Sequence, residues 1–436
     1  MKKALLFLII LAFLNTAYAQ NLVVNNNKPE RTEWFRDLGL GMFIHWSFDV
    51  QLGSVISHTL VGASEEYRNN FFELQKTFDP QNFNPDKWAK LAKLAGFKYV
   101  VFTAKHHNGF CMFDTKTTDF DIMNTPFGRD VTKELIEAFR KQDIAIGLYY
   151  GPEDWHFLHK HGTQISRDGA SKANPEHNPE LNTFLKKQMK ELLTNYGKID
   201  IIFLDGLMRT PFLNTEFATY CWELQPDIVV TRGAMETPEQ HMPAEPIPGA
   251  WEACFTLGTQ WQYKPTNETY KSGTTVINML LETRAKGGNL LLNIGPMADG
   301  SFPVEQENIL RELALWMLVN KQSVIETRPN NPIKQDNIYF TRSKDGKTLY
   351  AAVTDMKWGF GERKVFLLNG IRSDDNTKVS ILGHNGEVLE YRPEADAKVY
   401  WSNTQNGLLV SAIRGQRLYN NTQWPNPIVI KIENFK

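Results

Sequence analysis

The stretch "NPDKWAKLAKLAGFKYVVFTAKHHNGF" (Asn84 to Phe110) holds one complete structural unit followed by a chemical signal. Asn84 then Pro85 starts a helix, with a side-chain acceptor at the cap and, inside it, a residue whose missing N–H leaves no partner wanting. Trp88, Leu91 and Ala92 recur at helical spacing, and Gly96 ends the element. A β-branched and aromatic run, "FKYVVFTA", follows at once and ends on two adjacent imidazoles, His106 and His107.

The same grammar returns twice. "GRDVTKELIEAFRKQD" offers Asp130 as an N-cap, carries Leu135, Ile136 and Phe139 on one side, and feeds the strand "IAIGLYYG". Pro179 opens "PELNTFLKKQMKELLTNYG", Gly197 closes it, and "KIDIIFLDG" is the strand. Helix, short turn and apolar strand in repetition mean parallel strands covered by helices. With "LGMFIHWS", "DIVVTRG", "AWEACFT" and "GNLLLNIGP" there are seven candidate strands between residues 39 and 296. The pattern predicts an α/β fold with a (β/α)8-like barrel, the alternative being an open doubly wound sheet. No Gly-rich phosphate loop opens any of these helices, which weakens a dinucleotide-binding reading. After about Asn331 the pattern changes to short strands between turn residues, such as "NIYFTRS", "TLYAAVT", "KVFLLNG" and "IVIKI". These predict an all-β sandwich. The expected division is a signal peptide over 1–19, a catalytic barrel over 20–331 and a β-sandwich over 332–436.

The bulk numbers narrow the partners. A net charge of −1 over 436 residues lacks the basic excess of a nucleic-acid binder. "MKKALLFLIILAFLNTAYAQ" has a basic start, an apolar core too short to span a membrane, and the small-residue site Ala17-Tyr18-Ala19. The mature chain is therefore expected to be exported, periplasmic or extracellular, with no stable membrane insertion after cleavage. Three cysteines, Cys111, Cys221 and Cys254, make no disulfide framework and read as small core residues.

Barrel enzymes collect their chemistry at the C-terminal ends of the strands. Those ends supply His45, His106, His107, Tyr149, Phe203, Asp205, Arg232 and, by this count, Glu252, while the connection after Arg232 adds Glu236, Glu239 and Glu245. Two chemistries fit. A metal reading takes His45, His106, His107 and Asp205 as ligands. Against it, adjacent strand residues face opposite ways, so His106 and His107 converge only if the strand has ended. The cluster His156, His159 and His161 reads as a polar surface loop. A carboxylate reading makes Asp205, at the end of an apolar strand, the nucleophile, and a loop glutamate the acid, with imidazoles holding hydroxyls and no metal or cofactor.

These residues resemble the α-L-fucosidases of glycoside hydrolase family 29. The likeness rests on "GMFIHWS", "KHHNGF", "FLDG", "TPEQ" with "WEACFTLGTQWQY", and "GGNLLLNIGPMADGSFP", in that order from about Trp34 to Ile325. The resemblance implies a retaining exo-glycosidase on fucosylated glycans, with Asp205 as nucleophile and Glu239 as acid/base. It implies that His45, Glu65, His106, His107, Tyr149 and Arg232 hold the sugar, and that Phe203 and Trp261 wall it. Glu236 and Glu245 remain alternative acids, and a shifted sugar preference (α-L-galactosidase-like) or a metal-dependent barrel hydrolase are the alternative functions. Glu66, Asn108 and Phe203 depart from the family pattern around the sugar. Oligomeric state is not legible.

Overall fold

The computed structural model describes residues 24–53, 57–206, 211–355, 357–415 and 426–436. The expected signal over 1–19 lies outside them. All seven expected strands are present: β1 (Leu40–Ile44), β2 (Tyr99–Lys105), β3 (Ala145–Tyr150), β4 (Ile201–Leu204), β5 (Val229–Val230), β6 (Glu252–Thr256) and β7 (Asn289–Ile294). They form one parallel sheet in the order β5-β4-β3-β2-β1-β7-β6, the cyclic sequence of a barrel opened between β5 and β6 rather than the reversing order of a doubly wound sheet.

Local chemistry explains the helices. Asn84 Oδ1 accepts from the Lys87 N–H at 2.9 Å, and Asp130 Oδ1 from the Lys133 N–H at 2.9 Å, so both expected caps are made. Gly96 ends the first helix at φ 84°, where a Cβ would meet the Met317 side chain at 2.5 Å. Strand β2 is buried on both faces. Tyr99 and Val101 join the inner cluster with Phe43, Tyr149, Phe203 and Leu291, while Val100, Phe102 and Ala104 join the outer layer under the helices. A valine or isoleucine so buried contributes about 1.5–3 kcal/mol, which explains the continuous apolar run.

The opening between β5 and β6 is lined by the connection that follows β5. Thr231 N–H donates to Ile202 O at 3.0 Å and Leu204 N–H to Arg232 O at 3.1 Å, prolonging the β5 edge. The chain then crosses to β6: Cys254 N–H donates to Pro238 O at 2.9 Å and Gln240 N–H to Cys254 O at 3.0 Å. Residues 231–240 thus occupy the place of a missing strand.

The C-terminal module is a two-sheet antiparallel sandwich. One sheet runs β12 (Lys378–Ile381), β15 (Ile428–Glu433), β10 (Thr348–Val353), β9 (Ile338–Ser343), β8 (Thr327–Gln335). The other runs β11 (Arg363–Asn369), β14 (Gly407–Ile413), β13 (Tyr400–Asn403). Phe340, Ala351, Leu368, Val410 and Ile430 fill the space between them. Strand β8 was not foreseen and spans the expected 331/332 boundary. Its Pro329 and Pro332 suit only an edge strand, and its ladder slips between Pro329 and Lys334. Tyr350, Ala352, Leu382 and Val429 pack into the barrel's outer core, and Trp316 Nε1 donates to Pro427 O at 2.9 Å.

Candidate active site

Asp205 leaves the end of β4 with its N–H fixed on Tyr150 O at 3.1 Å. Its carboxylate accepts from Tyr149 Oη at 2.8 Å and from Arg232 Nη1 at 2.9 Å. Burial would raise its pKa, but the Arg232 charge, then His107 and the hydrogen bonds, outweigh burial and hold it down at about 2. Arg232 itself is clamped by Thr237, through Nε to Oγ1 at 3.1 Å and Nη2 to the carbonyl at 3.2 Å, and lies 4.7 Å over the Phe203 ring. The same Nη1 donates to Glu239 Oε2 at 2.9 Å. One nitrogen therefore holds both carboxylates, whose bonded oxygens can be no farther apart than twice 2.9 Å.

Glu239 reaches the pocket because its segment is bonded along β6. Glu236 and Glu245, the other candidate acids, are exposed and outside the pocket lining. Glu252 is not at this rim. It is the first residue of β6, at the opposite end of the strand, where Tyr99 Oη donates to its Oε2 at 2.8 Å. In "AWEACFT" the glutamate opens the strand, and Thr256 closes it.

The imidazoles converge because β2 ends at Lys105, with a register shift between Thr103 and Lys105, so His106 and His107 no longer alternate. His45 Nδ1 is 2.6 Å from Asn293 Oδ1, and His106 Nδ1 is 2.9 Å from Ser57 Oγ. Burial lowers the pKa of His45 to about 4 and of His107 to about 3, and pushes His106 down as well, so all three are neutral. His106 stacks on Tyr149 at 5.3 Å, and Tyr149 on Phe203 at 5.7 Å. Trp261 lies 4.8 Å from His45 and, with Phe43 and Phe203, forms the apolar wall. The pocket measures about 190 Å³.

Ligand atoms of His106, His107 and Asp205 lie within 4.8 Å of one another, so the sequence argument against their chelating one ion fails. The Arg232 guanidinium, 2.9 Å from Asp205, nevertheless sets a fixed cation against that same carboxylate. The other histidine cluster is helical rather than a loop, with His161 exposed at the helix C-cap. His156 and His159 lie in a helix, Trp155–Lys160, where His156 stacks on Phe120 at 4.0 Å.

Glu65, which the resemblance expects to hold the sugar, also lies outside the pocket, on the exposed first turn of the helix Glu65–Glu73. His58, not foreseen, lines the pocket instead. It follows Ser57, which sits at φ 59° with its N–H on Asp49 Oδ2 at 3.0 Å and its hydroxyl against His106. Such a left-handed serine marks a loop bent by long-range bonds, which no local pattern announces. Asn108 is buried beneath the site, accepting from the Phe110 N–H at 2.9 Å.

A curled parallel barrel with two carboxylates on one guanidinium, ringed by neutral imidazoles and aromatic faces, is the frame of a barrel glycoside hydrolase. The comparisons agree. The sequence profile of the family described as Alpha-L-fucosidase matches residues 12–322. The plasma alpha-L-fucosidase of Rattus norvegicus is 29% identical over 398 residues, covering 80% of this chain and 83% of the relative. The structure of alpha-L-fucosidase isoenzyme 1 from Paenibacillus thiaminolyticus superposes with a TM-score of 0.73 at 28% identity, over 93% of this chain and 98% of that one. A GH29 alpha-L-fucosidase of Bacteroides thetaiotaomicron, trapped as a covalent intermediate, shares the fold with a TM-score of 0.75 at 23% identity, over 96% and 99% of the two chains. The chain belongs to the α-L-fucosidase family of glycoside hydrolases, family 29.

Proposed function

We propose that the protein is a retaining exo-α-L-fucosidase that releases fucose from fucosylated glycans through a covalent fucosyl-enzyme. The observation that carries this reading is the shared Arg232 contact, which keeps one oxygen of Asp205 and one of Glu239 within twice 2.9 Å of each other. Retaining enzymes hold their carboxyl groups about 5–5.5 Å apart, whereas inverting ones leave about 6.5–9.5 Å for a water.

In the first step Asp205 attacks the anomeric carbon, the bond from that carbon to the leaving oxygen breaks, and Glu239 gives that oxygen its proton. In the second, Glu239 takes a proton from water, the water oxygen bonds to the anomeric carbon, and Asp205 departs as carboxylate. Two displacements restore the starting configuration. The neutral imidazoles of His45, His106 and His107 can each hydrogen-bond a sugar hydroxyl, while Phe43, Phe203 and Trp261 suit the apolar face and methyl group of fucose. The pattern of residues 1–19 supports an exported enzyme, and no helix among the described residues is long and apolar enough to cross a membrane.

Hydrolysis of 4-nitrophenyl α-L-fucoside by the mature chain tests the reading. Asp205→Ala should lose at least about a thousandfold in kcat, and azide should restore part of it while giving β-L-fucosyl azide, the inverted product. A fully active Asp205→Ala, or a first product of inverted configuration from the unaltered enzyme, would overturn it.

A further inference from the structure

The loop "GPEDW" (Gly151 to Trp155) that follows β3 forms a cradle for one imidazole, His107, and nothing in its sequence announced this. Trp155 donates its N–H to His107 O at 2.9 Å and stacks its ring on the imidazole at 5.5 Å. Gly151 passes so close that a Cβ there would stand 3.2 Å from His107 Nδ1. Lys105, fully buried, donates to Glu153 O at 2.6 Å and pins the backbone of the loop. The Glu153 side chain, also fully buried, brings Oε2 to 3.5 Å from His107 Nδ1. On its other edge His107 Nε2 lies 3.9 Å from Asp205 Oδ2.

We propose that Glu153 is a positioning residue: it fixes His107 as the Nδ1–H tautomer, so that Nε2 accepts a hydrogen bond from the sugar hydroxyl adjacent to the anomeric carbon. A neutral imidazole carries one N–H, and a buried carboxylate facing Nδ1 draws that proton to its own side. Nε2 then presents a lone pair beside the Asp205 carboxylate, and the one proton of a hydroxyl placed there goes to Nε2, since Asp205 already accepts from Tyr149 and Arg232. Because Asp205 bonds to the anomeric carbon, the 2-hydroxyl is the one brought to this place. Without Glu153 the ring is free to adopt the other tautomer, whose Nε2–H would turn to Asp205, weakening the nucleophile and losing the hydroxyl contact. Hydrogen bonds to the 2-hydroxyl strengthen as the oxocarbenium-like charge develops, so the effect belongs in kcat. This inference rests on the fucosidase reading.

The test compares the mature enzyme with Glu153→Leu and Glu153→Gln on 4-nitrophenyl α-L-fucoside and on its 2-deoxy analogue. Glu153→Leu should lower kcat/KM on the fucoside about ten- to a hundredfold, the range for outer partners of other fixed imidazoles, with kcat carrying the loss. On the 2-deoxy substrate it should change kcat/KM less than about threefold, because the hydroxyl whose contact Glu153 prepares is missing. Glu153→Gln, which keeps an acceptor oxygen, should fall between. Nitrogen-15 NMR of histidine-labelled enzyme, with the His107 signal identified by its loss in His107→Gln, should show Nδ1 protonated in the unaltered protein. Equal losses on both substrates, or an Nε2–H tautomer in the unaltered enzyme, would overturn the proposal. If the unaltered enzyme cleaves neither substrate, the fucosidase reading fails by itself, and the NMR result still decides the Glu153–His107 pairing.

Discussion

Burial sets the protonation of the imidazoles at this site, and charge sets that of Asp205. His45 and His107 are surrounded by rings and strand ends, and desolvation takes their pKa values to about 4 and about 3, far below the usual imidazole value. Asp205 is ionised down to about 2 because Arg232, His107 and Tyr149 outweigh the cost of burying its charge. All three therefore keep one protonation state between pH 7.5 and 5. KM for 4-nitrophenyl α-L-fucoside should stay within about twofold over that range, whereas one required imidazole with an ordinary pKa would weaken binding roughly thirtyfold at pH 5. A steep rise in KM below pH 6.5 would show that these rings are hydrated and titrating. The same depressed histidines make folding stability fall as pH drops from about 6.5 towards 4, since only the unfolded chain takes up their protons there. His106 and His107 were legible as functional because two imidazoles after an apolar strand serve packing poorly. Their common direction was not, because it depends on the strand ending at Lys105.

At the scale of elements, the segment 231–240 matters most. It stands where an eighth strand would, and its ladder to β6 delivers Glu239 to Arg232. Gln240 sits at φ 56° and donates its N–H to Cys254 O at 3.0 Å. Gln240→Pro removes that donor and demands a φ near −65°, so kcat should fall on the order of a hundredfold through a displaced Glu239. Gln240→Gly, which accepts the backbone conformation and loses only the side-chain bonds to Thr256, should keep kcat within about threefold. Equal losses in the two variants would mean that the side chain, not the ladder, places Glu239. The strand "AWEACFT" was readable as a strand, but the bonds along it that choose among Glu236, Glu239 and Glu245 join residues on separate segments, and no local pattern encodes them.

For the whole molecule, the barrel interior carries one costly group far from the pocket. Glu252 is fully buried, and burial raises its pKa to about 7, against the hydrogen bond from Tyr99. Between about pH 4.5 and 7 the unfolded chain releases this proton while the folded one keeps it. Stability is thus fully present below the unfolded value and is lost as pH rises through the folded one, by up to about 3 kcal/mol. Glu252→Gln abolishes this titration, so its Tm minus that of the unaltered protein should grow by several degrees between pH 5 and 7.5. A difference independent of pH would show Glu252 to be ionised throughout, held by water or a cation inside the barrel. The sandwich shares the barrel's outer core through Tyr350, Ala352, Leu382 and Val429, so the two layers form one packed body.

The sequence alone determined what short-range chemistry encodes: helix starts at Asn84, Asp130 and Pro179, the seven buried strands from their continuous apolar runs, the switch to a sandwich, and the strand-end placement of Asp205. Those features follow from capping, backbone freedom and hydrophobic periodicity within a few residues. Tertiary structure decided the rest. It set Glu65 on the surface and His58 in the pocket, moved Glu252 to the far end of the barrel, brought both carboxylates to one guanidinium nitrogen, and put Glu153 behind His107. Each of these depends on where a loop side chain points once segments distant in the chain have packed, and that direction is a property of the contacts rather than of the residues.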